Sequence, residues 1–263
     1  MAFVEIPDHK IHYVLSGRQS APVLVLSNSL GTNFSMWDPQ LAEFEKHFSV
    51  LRYDTRGHGS SAVTPGPYTF DQLSRDVVAL LDALKIETAH FCGLSMGGMT
   101  GMWLGVHASG RIRKLILCST SAKFGNAEMW DKRMAAVRRR GMKGIAPVVL
   151  ERWYTPEFRA SAPAAAQATS QMLESTSLDG YLACCAALRE ADFREDVKQI
   201  RTPTLVISGA KDPSAPPADG RYLSSAIPGA HYVELNAAHI SNVETPAEFT
   251  LEVMRFLDAE RPQ

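Results

Sequence analysis

Several features that would assign this sequence to other protein classes are scarce or missing. The 263 residues include only four cysteines, with no C-x-x-C pair and no spacing with histidine that is typical of a metal site. No G-x-G-x-x-G motif follows the first predicted buried strand, and no phosphate-binding lysine loop is present. The sequence therefore predicts neither a metal nor a nucleotide cofactor.

An excess of charge of one sign is also missing. The chain has 27 Lys and Arg against 28 Asp and Glu, a formal net charge of −1, which provides no general attraction to nucleic acid or a membrane. No apolar run reaches transmembrane length, and the first residues lack the pattern of a signal peptide. Because Cys92 and Cys118 fall in predicted buried strands, we expect a reduced, cytoplasmic protein. Nothing in the sequence indicates an oligomeric state.

Apolar residues are plentiful, and they recur in alternating strand and helix patterns. Hydrophobic residues make up 45% of the chain, which favours one large α/β domain with an insertion over two domains. An opening hairpin is followed by alternating strands and helices, which predicts a mostly parallel sheet with helices on both faces. The predicted strands are 3–6, 10–15, 23–27, 49–53, 89–92 and 114–118, and the predicted helices are 37–47, 70–84 and 99–107.

The alternation stops between residues 122 and 197. This segment is rich in Ala, Met and Arg, has helical patterns and contains no convincing strand. Strands at 204–208 and 232–235 and a helix at 246–257 then complete the sheet. We therefore expect a core of residues 1–121 and 198–263 built on the sheet and a helical cap of residues 122–197.

The strongest functional signal is G-L-S-M-G at residues 93–97. It lies between a predicted strand and a predicted helix, the context in which G-x-S-x-G forms a nucleophile elbow. In such a turn the serine is strained, and side chains at positions 93 and 97 would collide with the neighbouring strand and helix. Ser95 is therefore the candidate nucleophile. The alternative is a glycine-rich turn with an idle serine.

A serine nucleophile needs a base, and the base needs a carboxylate that orients it. With a nucleophile elbow the order along the chain is serine, acid, histidine. His239 follows the last predicted strand, at the edge where Ser95 emerges, whereas His231 precedes that strand. Asp212 is the only acid directly after a late strand at this edge; its alternative role is to cap a turn. The sequence predicts a triad of Ser95, Asp212 and His239.

An acyl-transfer site also needs two N–H donors for the oxyanion, each worth on the order of a hundredfold in rate. Met96, in the first turn of the helix after Ser95, supplies one candidate. Leu30, in the loop after strand 23–27, supplies the second; alternatively its side chain is buried and its amide uninvolved. His58, in D-T-R-G-H-G at residues 54–59, follows a strand too early in the chain and is predicted to be structural.

With this order of triad residues, the whole chain resembles the α/β-hydrolase superfamily. The sequence D-T-R-G-H-G-S-S at residues 54–61 is similar to a motif common there. Many members carry His-Gly where this chain has Asn28 and Ser29, a difference that concerns the finer shape of the oxyanion loop. The resemblance implies an α/β-hydrolase fold and a serine hydrolase.

A closer resemblance is to the bacterial β-ketoadipate enol-lactonases. It is carried in the core by L-S-N-S-L-G-T at 26–32 and M-W-D-P-Q at 36–40. In the predicted cap it is carried by W-x-x-R at 130–133, E-R-W-Y-T-P at 151–156 and G-Y-L-A-C-C-A-A-L-R at 180–189. The resemblance implies hydrolysis of 3-oxoadipate enol-lactone, a small anionic lactone, in the catabolism of aromatic compounds.

The predicted cap also contains cations that could bind a substrate carboxylate. Residues 122–144 hold seven Lys and Arg against two acidic residues. Arg133 borders an apolar helix face that includes Trp130, so Trp130, Arg133 and Arg138 are the candidate substrate-binding residues. A solvated basic surface is the alternative, favoured for Arg139 and Arg140.

Two other functions are compatible with the predicted triad. A carboxylesterase or cofactor-free perhydrolase would hydrolyse uncharged esters as readily as the anionic lactone. A small-molecule receptor of the same fold would capture its ligand without fast turnover.

Overall fold

Eight strands form one sheet in the computed structural model, which describes residues 2–258. They are β1 (Ala2–Ile6), β2 (His9–Gly17), β3 (Val23–Ser27), β4 (Ser49–Tyr53), β5 (Ala89–Leu94), β6 (Ile112–Cys118), β7 (Thr204–Gly209) and β8 (His231–Leu235). Their order in space is β1-β2-β4-β3-β5-β6-β7-β8. The pairs β1–β2 and β2–β4 are antiparallel and the others are parallel, which confirms the predicted mostly parallel sheet.

The observed strands differ from the predicted ones mainly at their ends. The opening hairpin is tighter than expected, because His9 already belongs to β2 and pairs with Ile6. Strand β5 extends to Leu94, two residues beyond its predicted end, and leads directly into Ser95. Residue 1 and residues 259–263, at the ends of the predicted core, lie outside the described residues.

The helices cover both faces of the sheet. They are α1 (Asp38–His47), α2 (Phe70–Ala83), α3 (Met96–His107), α4 (Ala127–Trp153), α5 (Pro156–Ser161), α6 (Pro163–Ser175), α7 (Leu178–Glu190), α8 (Pro217–Ala226), α9 (Ser241–Glu244) and α10 (Pro246–Asp258). Helix α1 packs against α10, and α2 packs against α3. Every residue of β5 and β7 is buried, as expected for strands covered on both sides.

Helix α2 illustrates how the sequence specifies these elements. The hydroxyl of Thr69 accepts a hydrogen bond from the Gln72 N–H at 3.1 Å and so caps the first turn. Phe70, Leu73 and Val77 then recur every three or four residues and are buried against the sheet. The cap and the apolar stripe together place α2 over the core.

The segment that interrupts the sheet, residues 122–197, is described throughout and contains α4 to α7 but no strand. Helix α4 bends at Gly141, whose φ of 67° and ψ of 175° are not helical. It packs against α6 and α7, and the face predicted from Trp130, Met134 and Val137 is buried. None of the helices within residues 2–258 combines the length and apolar character needed to span a bilayer.

Helix α7 approaches the loop after β4 so closely that two glycines meet. A Cβ on Gly180 would lie 2.1 Å from the carbonyl oxygen of Gly57. A Cβ on Gly57, whose φ is +78°, would lie 2.6 Å from the Cα of Gly180. The Tyr68 N–H also donates to the Ala183 carbonyl at 3.2 Å. Backbone contact therefore holds the helical segment 122–197 on the sheet domain.

This contact predicts that Gly180→Ala destabilises the fold. Alanine favours a helix, but its methyl group would collide with a backbone carbonyl that has no flexible end to move. We expect the free energy of unfolding to fall by about 1–3 kcal/mol in urea denaturation. Gly110→Ala is the matched control, because a Cβ at Gly110 has nothing within 4 Å. Equal stability of the two variants would contradict the prediction.

Candidate active site

The turn between β5 and α3 forces Ser95 into an unusual backbone conformation. Its φ is 57° and its ψ is −111°, in the left-handed region that residues with a Cβ rarely adopt. The Ser95 N–H donates to the Cys118 carbonyl at 2.8 Å, and the Ser95 carbonyl accepts from the Thr120 hydroxyl at 2.8 Å. Contacts from β6 and the loop after it therefore hold the strained residue on both sides.

The two glycines that flank Ser95 are needed for space. A Cβ on Gly93 would lie 2.1 Å from the Gly97 carbonyl oxygen, and a Cβ on Gly97 would lie 2.3 Å from the Ser27 carbonyl oxygen. This confirms the expectation that side chains there would collide with the neighbouring strand and helix. Helix α3 begins at Met96, so Met96 lies in its first turn as expected, and the turn itself occupies only Ser95.

Of the three predicted triad residues, His239 lies within hydrogen-bond distance of both Ser95 and Asp212. Nε2 of His239 is 2.9 Å from Oγ of Ser95, and Nδ1 of His239 is 2.7 Å from Oδ2 of Asp212. A carboxylate only accepts, so Nδ1–H donates to Asp212 and Nε2 accepts from the serine hydroxyl. All three residues are more than nine-tenths buried. The arrangement is that of a serine nucleophile with an oriented base.

The loops after β7 and β8 place the acid and the base together. The Lys211 N–H donates to the Ala237 carbonyl at 2.9 Å, which links the two loops directly. The second oxygen of Asp212, Oδ1, accepts from the N–H groups of Ser214 and Ala215 at 2.7 and 3.0 Å. Asp212 therefore accepts hydrogen bonds from the backbone of a turn with one carboxylate oxygen and from His239 with the other. Turn capping and pairing with the histidine, considered above as alternatives, occur together.

The loop after β3 is attached to the elbow and carries Leu30. Its residue Asn28 accepts at its carbonyl from the Gly97 N–H at 3.0 Å. The Asn28 side chain donates to the Tyr53 carbonyl at 2.7 Å and accepts from Trp37 Nε1 at 3.0 Å. Asn28, found where many relatives have histidine, thus fixes the loop from two sides. The N–H groups of Leu30 and Met96 have no acceptor within the described part of the chain.

His58 supports this loop from behind and takes no part in the triad. Its Nε2 accepts a hydrogen bond from the Gly31 N–H at 2.9 Å, one residue after Leu30. Burial lowers the pKa of His58 to about 4, so the imidazole is neutral at pH 7 and can accept. The structural role predicted for His58 is confirmed.

Above Ser95 lies a cavity between the sheet domain and the helical segment 122–197. Its lining combines the catalytic candidates with aromatic and apolar side chains and two arginines: Ser29, Leu30, Ser95, Phe124, Met129, Trp130, Arg133, Arg152, Trp153, Leu188, Ser214 and His239. A small ligand with an apolar body and an anionic group fits this composition.

Arg133 is held in this cavity by aromatic neighbours. Its Nε donates to the Tyr181 hydroxyl at 2.9 Å, and Nη2 donates to the same oxygen. The guanidinium carbon lies 5.4 Å from the Trp130 ring centre and 5.7 Å from that of Tyr181. Burial raises the pKa of Tyr181 to about 12, so the phenol stays protonated. Nη1 has no protein acceptor within residues 2–258.

Arg138, predicted beside Arg133, does not reach the cavity. It lines a separate open hollow together with Thr64 and Asp179. Five residues along a helix correspond to a rotation of about 140°, so the two arginines point to different sides of α4. The structure therefore brings Trp130 and Arg133 to Ser95 and leaves Arg138 away from it.

Sequence reasoning missed the residues that connect the histidine loop to segment 122–197. Glu244 accepts from the Ala238 N–H at 2.8 Å and also from the N–H and hydroxyl of Thr155. The Ile240 N–H donates to the Trp153 carbonyl at 3.1 Å. The only sequence signal was the E-R-W-Y-T-P stretch, which includes Trp153 and Thr155. Both sides of His239 are thus tied to the helical segment.

One cluster in the described part of the chain brings together potential metal ligands, Asp8, His9 and Asp76. Arg56 already donates to both carboxylates, to Asp76 at 2.6 and 2.8 Å and to Asp8 at 2.9 and 3.0 Å. The guanidinium occupies the position between the acids and supplies the neutralising charge. The donor set fits a partly buried ion-pair network, since Asp8 is exposed and Asp76 is buried.

Comparisons with known proteins agree with this geometry. Residues 22–246 match the family model for the α/β hydrolase fold, and the chain belongs to that family. It is similar to 3-oxoadipate enol-lactonases 2 and 1 of Acinetobacter baylyi. The first is 46% identical over 92% of this chain and 91% of the relative, and the second is 39% identical over 89% and 88%.

A solved structure supports the same grouping. The crystal structure of the enol-lactonase from Burkholderia xenovorans LB400 superposes with a TM-score of 0.96 at 46% identity. The match covers 97% of this chain and 99% of that one. The similarity therefore includes the helical segment as well as the sheet domain.

The buried, neutral His58 predicts a specific pH dependence of stability. Its folded pKa of about 4 lies below the ordinary value of 6.5, so between these pH values the unfolded chain binds a proton that the folded chain does not. The contribution is complete above pH 6.5 and is lost as the pH falls towards 4. We expect the stability advantage of wild type over His58→Gln to shrink by up to about 3 kcal/mol between pH 7 and pH 4.

Urea denaturation at a series of pH values measures this difference. His231→Gln is the matched control for the loss of a histidine, because His231 is exposed at the start of β8. Parallel stability curves for wild type and His58→Gln would contradict the assigned state of His58.

Proposed function

We propose that this chain hydrolyses 3-oxoadipate enol-lactone to 3-oxoadipate in the breakdown of aromatic compounds. The observation that carries the proposal is the position of Arg133 in the same cavity as Ser95 and His239. An oriented guanidinium beside a serine nucleophile suits a small ester that also bears a carboxylate. The enol-lactonase names of the relatives support the same substrate class.

In this proposal residues 122–197 form a cap that selects the substrate, and residues 1–121 and 198–263 form the catalytic core. The cavity supports this division, because the triad comes from loops of the sheet domain while Trp130, Arg133 and Trp153 come from α4. Hydrogen bonds from both sides of the His239 loop to α4 and to Thr155 would fix the position of the cap relative to the core.

The first half of the reaction forms an acyl-enzyme. Ser95 Oγ attacks the lactone carbonyl while His239 Nε2 takes its proton, and Asp212 stabilises the resulting imidazolium. The N–H groups of Leu30 and Met96 hold the oxyanion; both are free to donate, and neither must give up a protein partner. The acyl carbon–ring oxygen bond then breaks and expels an enolate, a better leaving group than an alkoxide.

The second half releases the product. The proton on His239 passes to the enolate, and the enol relaxes to the ketone. Water then attacks the acyl-enzyme with His239 as general base, and Ser95 recovers its proton as the ester bond breaks. The lactone carbonyl becomes a carboxylate beside the carboxymethyl group already present, so the product is a dicarboxylate that carries a ketone.

Arg133 would bind the carboxymethyl group throughout these steps. Two of its donors are committed to Tyr181, which fixes the plane of the guanidinium, and Nη1 remains available. Trp130 lies against the same group. A carboxylate bound here is present both before and during the chemistry, so the interaction contributes to affinity and positioning.

The triad predicts that Ser95→Ala folds normally and loses at least about a thousandfold in kcat, because the covalent route is removed. Steady-state hydrolysis of the enol-lactone, with circular dichroism as the check on folding, measures this. Retention of a tenth of the wild-type rate would show that another nucleophile, or direct attack by water, carries the reaction. Single turnover by the wild type would favour a receptor.

The role of Arg133 predicts a split between charged and uncharged substrates. A charged hydrogen bond is worth about 1.5–3 kcal/mol, so Arg133→Leu should raise KM for the anionic lactone about ten- to a hundredfold. The fall in kcat should be smaller, and an uncharged lactone should be affected much less.

Arg139→Leu is the matched control, since Arg139 is exposed and lines no part of the cavity. Equal losses for both substrates would mean that Arg133 only supports the fold of the helical segment. Wild-type activity on uncharged esters equal to that on the lactone would favour a general carboxylesterase.

A further inference from the structure

The bend in α4 creates a second, larger groove outside the catalytic cavity. The chain turns at Gly141, and side chains from the two limbs of the helix on either side of the turn line this groove. On the first limb, residues three or four positions apart line this space and therefore share one helix face. They are Met129, Lys132, Arg133, Ala136 and Arg140.

The second limb presents a matching face. Its lining residues also recur every three or four positions and are Ile145, Val148, Val149, Arg152 and Trp153. Val148 is 54% exposed, which is unusual for an apolar side chain of this size. The floor of the groove is therefore apolar, and its rim is basic.

The groove continues into the catalytic cavity. The two spaces share Met129, Arg133, Arg152, Trp153 and Ser214 as lining residues. Arg133, the proposed carboxylate partner at Ser95, therefore stands at the junction between them. A ligand in the groove reaches the catalytic cavity without crossing the surface of the sheet domain.

The charged residues that line this groove are all basic. Four of its lining residues are Lys or Arg, and none is acidic. Lys132 pairs with Glu128 at 2.6 Å. Arg140 and Arg152 make neither an ion pair nor a hydrogen bond with any residue between 2 and 258. Two unpaired guanidinium groups beside an apolar floor complement a small molecule with a flat apolar body and a carboxylate.

We propose that this groove is a capture site, in which the carboxylate lactone binds near Arg140 and Arg152 before it moves to Arg133 and Ser95. The inference rests on the proposed function and adds the route by which its substrate arrives. Cations that line an approach raise the local concentration of an anion, and their effect falls with ionic strength. Arg140 affects only the binding of the incoming substrate, because it does not line the catalytic cavity.

The first test removes the charge. At an ionic strength of about 10 mM, Arg140→Gln should lower kcat/KM for the lactone about two- to fivefold, with kcat unchanged. At about 1 M salt, where screening acts within about 3 Å, the difference from wild type should disappear. Arg139→Gln is the matched control: it removes the same charge one residue away, outside the groove.

The second test blocks the groove. Ala136 lines the groove and is half-buried, whereas its neighbour Ala135 is exposed and does not line it. Ala136→Phe should lower kcat/KM about tenfold or more for charged and uncharged lactones alike, at any salt concentration. Ala135→Phe should match wild type. Thermal unfolding of both variants shows whether the added ring has disturbed the fold.

The outcomes separate this inference from the proposed function. If the wild type turns over the lactone normally but Arg140→Gln behaves like Arg139→Gln, the capture site is overturned and the proposed function stands. The same conclusion follows if folded Ala136→Phe behaves like Ala135→Phe. A wild-type protein that does not turn over the lactone would overturn both. A salt-dependent loss confined to Arg140→Gln and to the charged substrate supports the capture site.

Discussion

The strained backbone of Ser95 is the constraint on which the rest of the site depends. Strand β5 must become helix α3 within one residue, and the close approach of β3, β5 and α3 together with hydrogen bonds from Cys118 and Thr120 holds that turn. The same approach fixes the oxyanion loop, because the Gly97 N–H that follows the turn is bonded to the Asn28 carbonyl. One packing arrangement therefore fixes the positions of the nucleophile and of the candidate oxyanion donors before any ligand binds.

A second layer of buried polar residues keeps this arrangement rigid. Asp54 accepts from His12 and from the Phe34 and Ser60 N–H groups, and neutral His58 accepts from Gly31. Buried charges are costly unless they are fully paired, and these are paired in a way that ties separate loops together. The motif at residues 54–61 thus carries no chemistry of its own; it holds the loop that carries Leu30 and the surface that receives α7.

The helical segment 122–197 contributes an oriented cation, Arg133, to the cavity above Ser95. Two aromatic residues orient Arg133, and the bend at Gly141 turns the rest of α4 into a basic, apolar-floored groove. Under the proposed function, one kinked helix both receives the anionic substrate and positions it. The loop that carries His239 is joined to this helix by the Ile240 N–H, which donates to the Trp153 carbonyl.

The sequence by itself determined the sheet, the elbow and the positions of Ser95, Asp212 and His239, because each depends on a local pattern or on which end of a parallel strand a residue follows. Tertiary structure alone decided the rest. Helical periodicity places Arg133 and Arg138 on different sides of α4 but does not show which side meets the cavity. Nor did it reveal the bend at Gly141, where a φ of 67° interrupts a stretch whose pattern is helical on both sides.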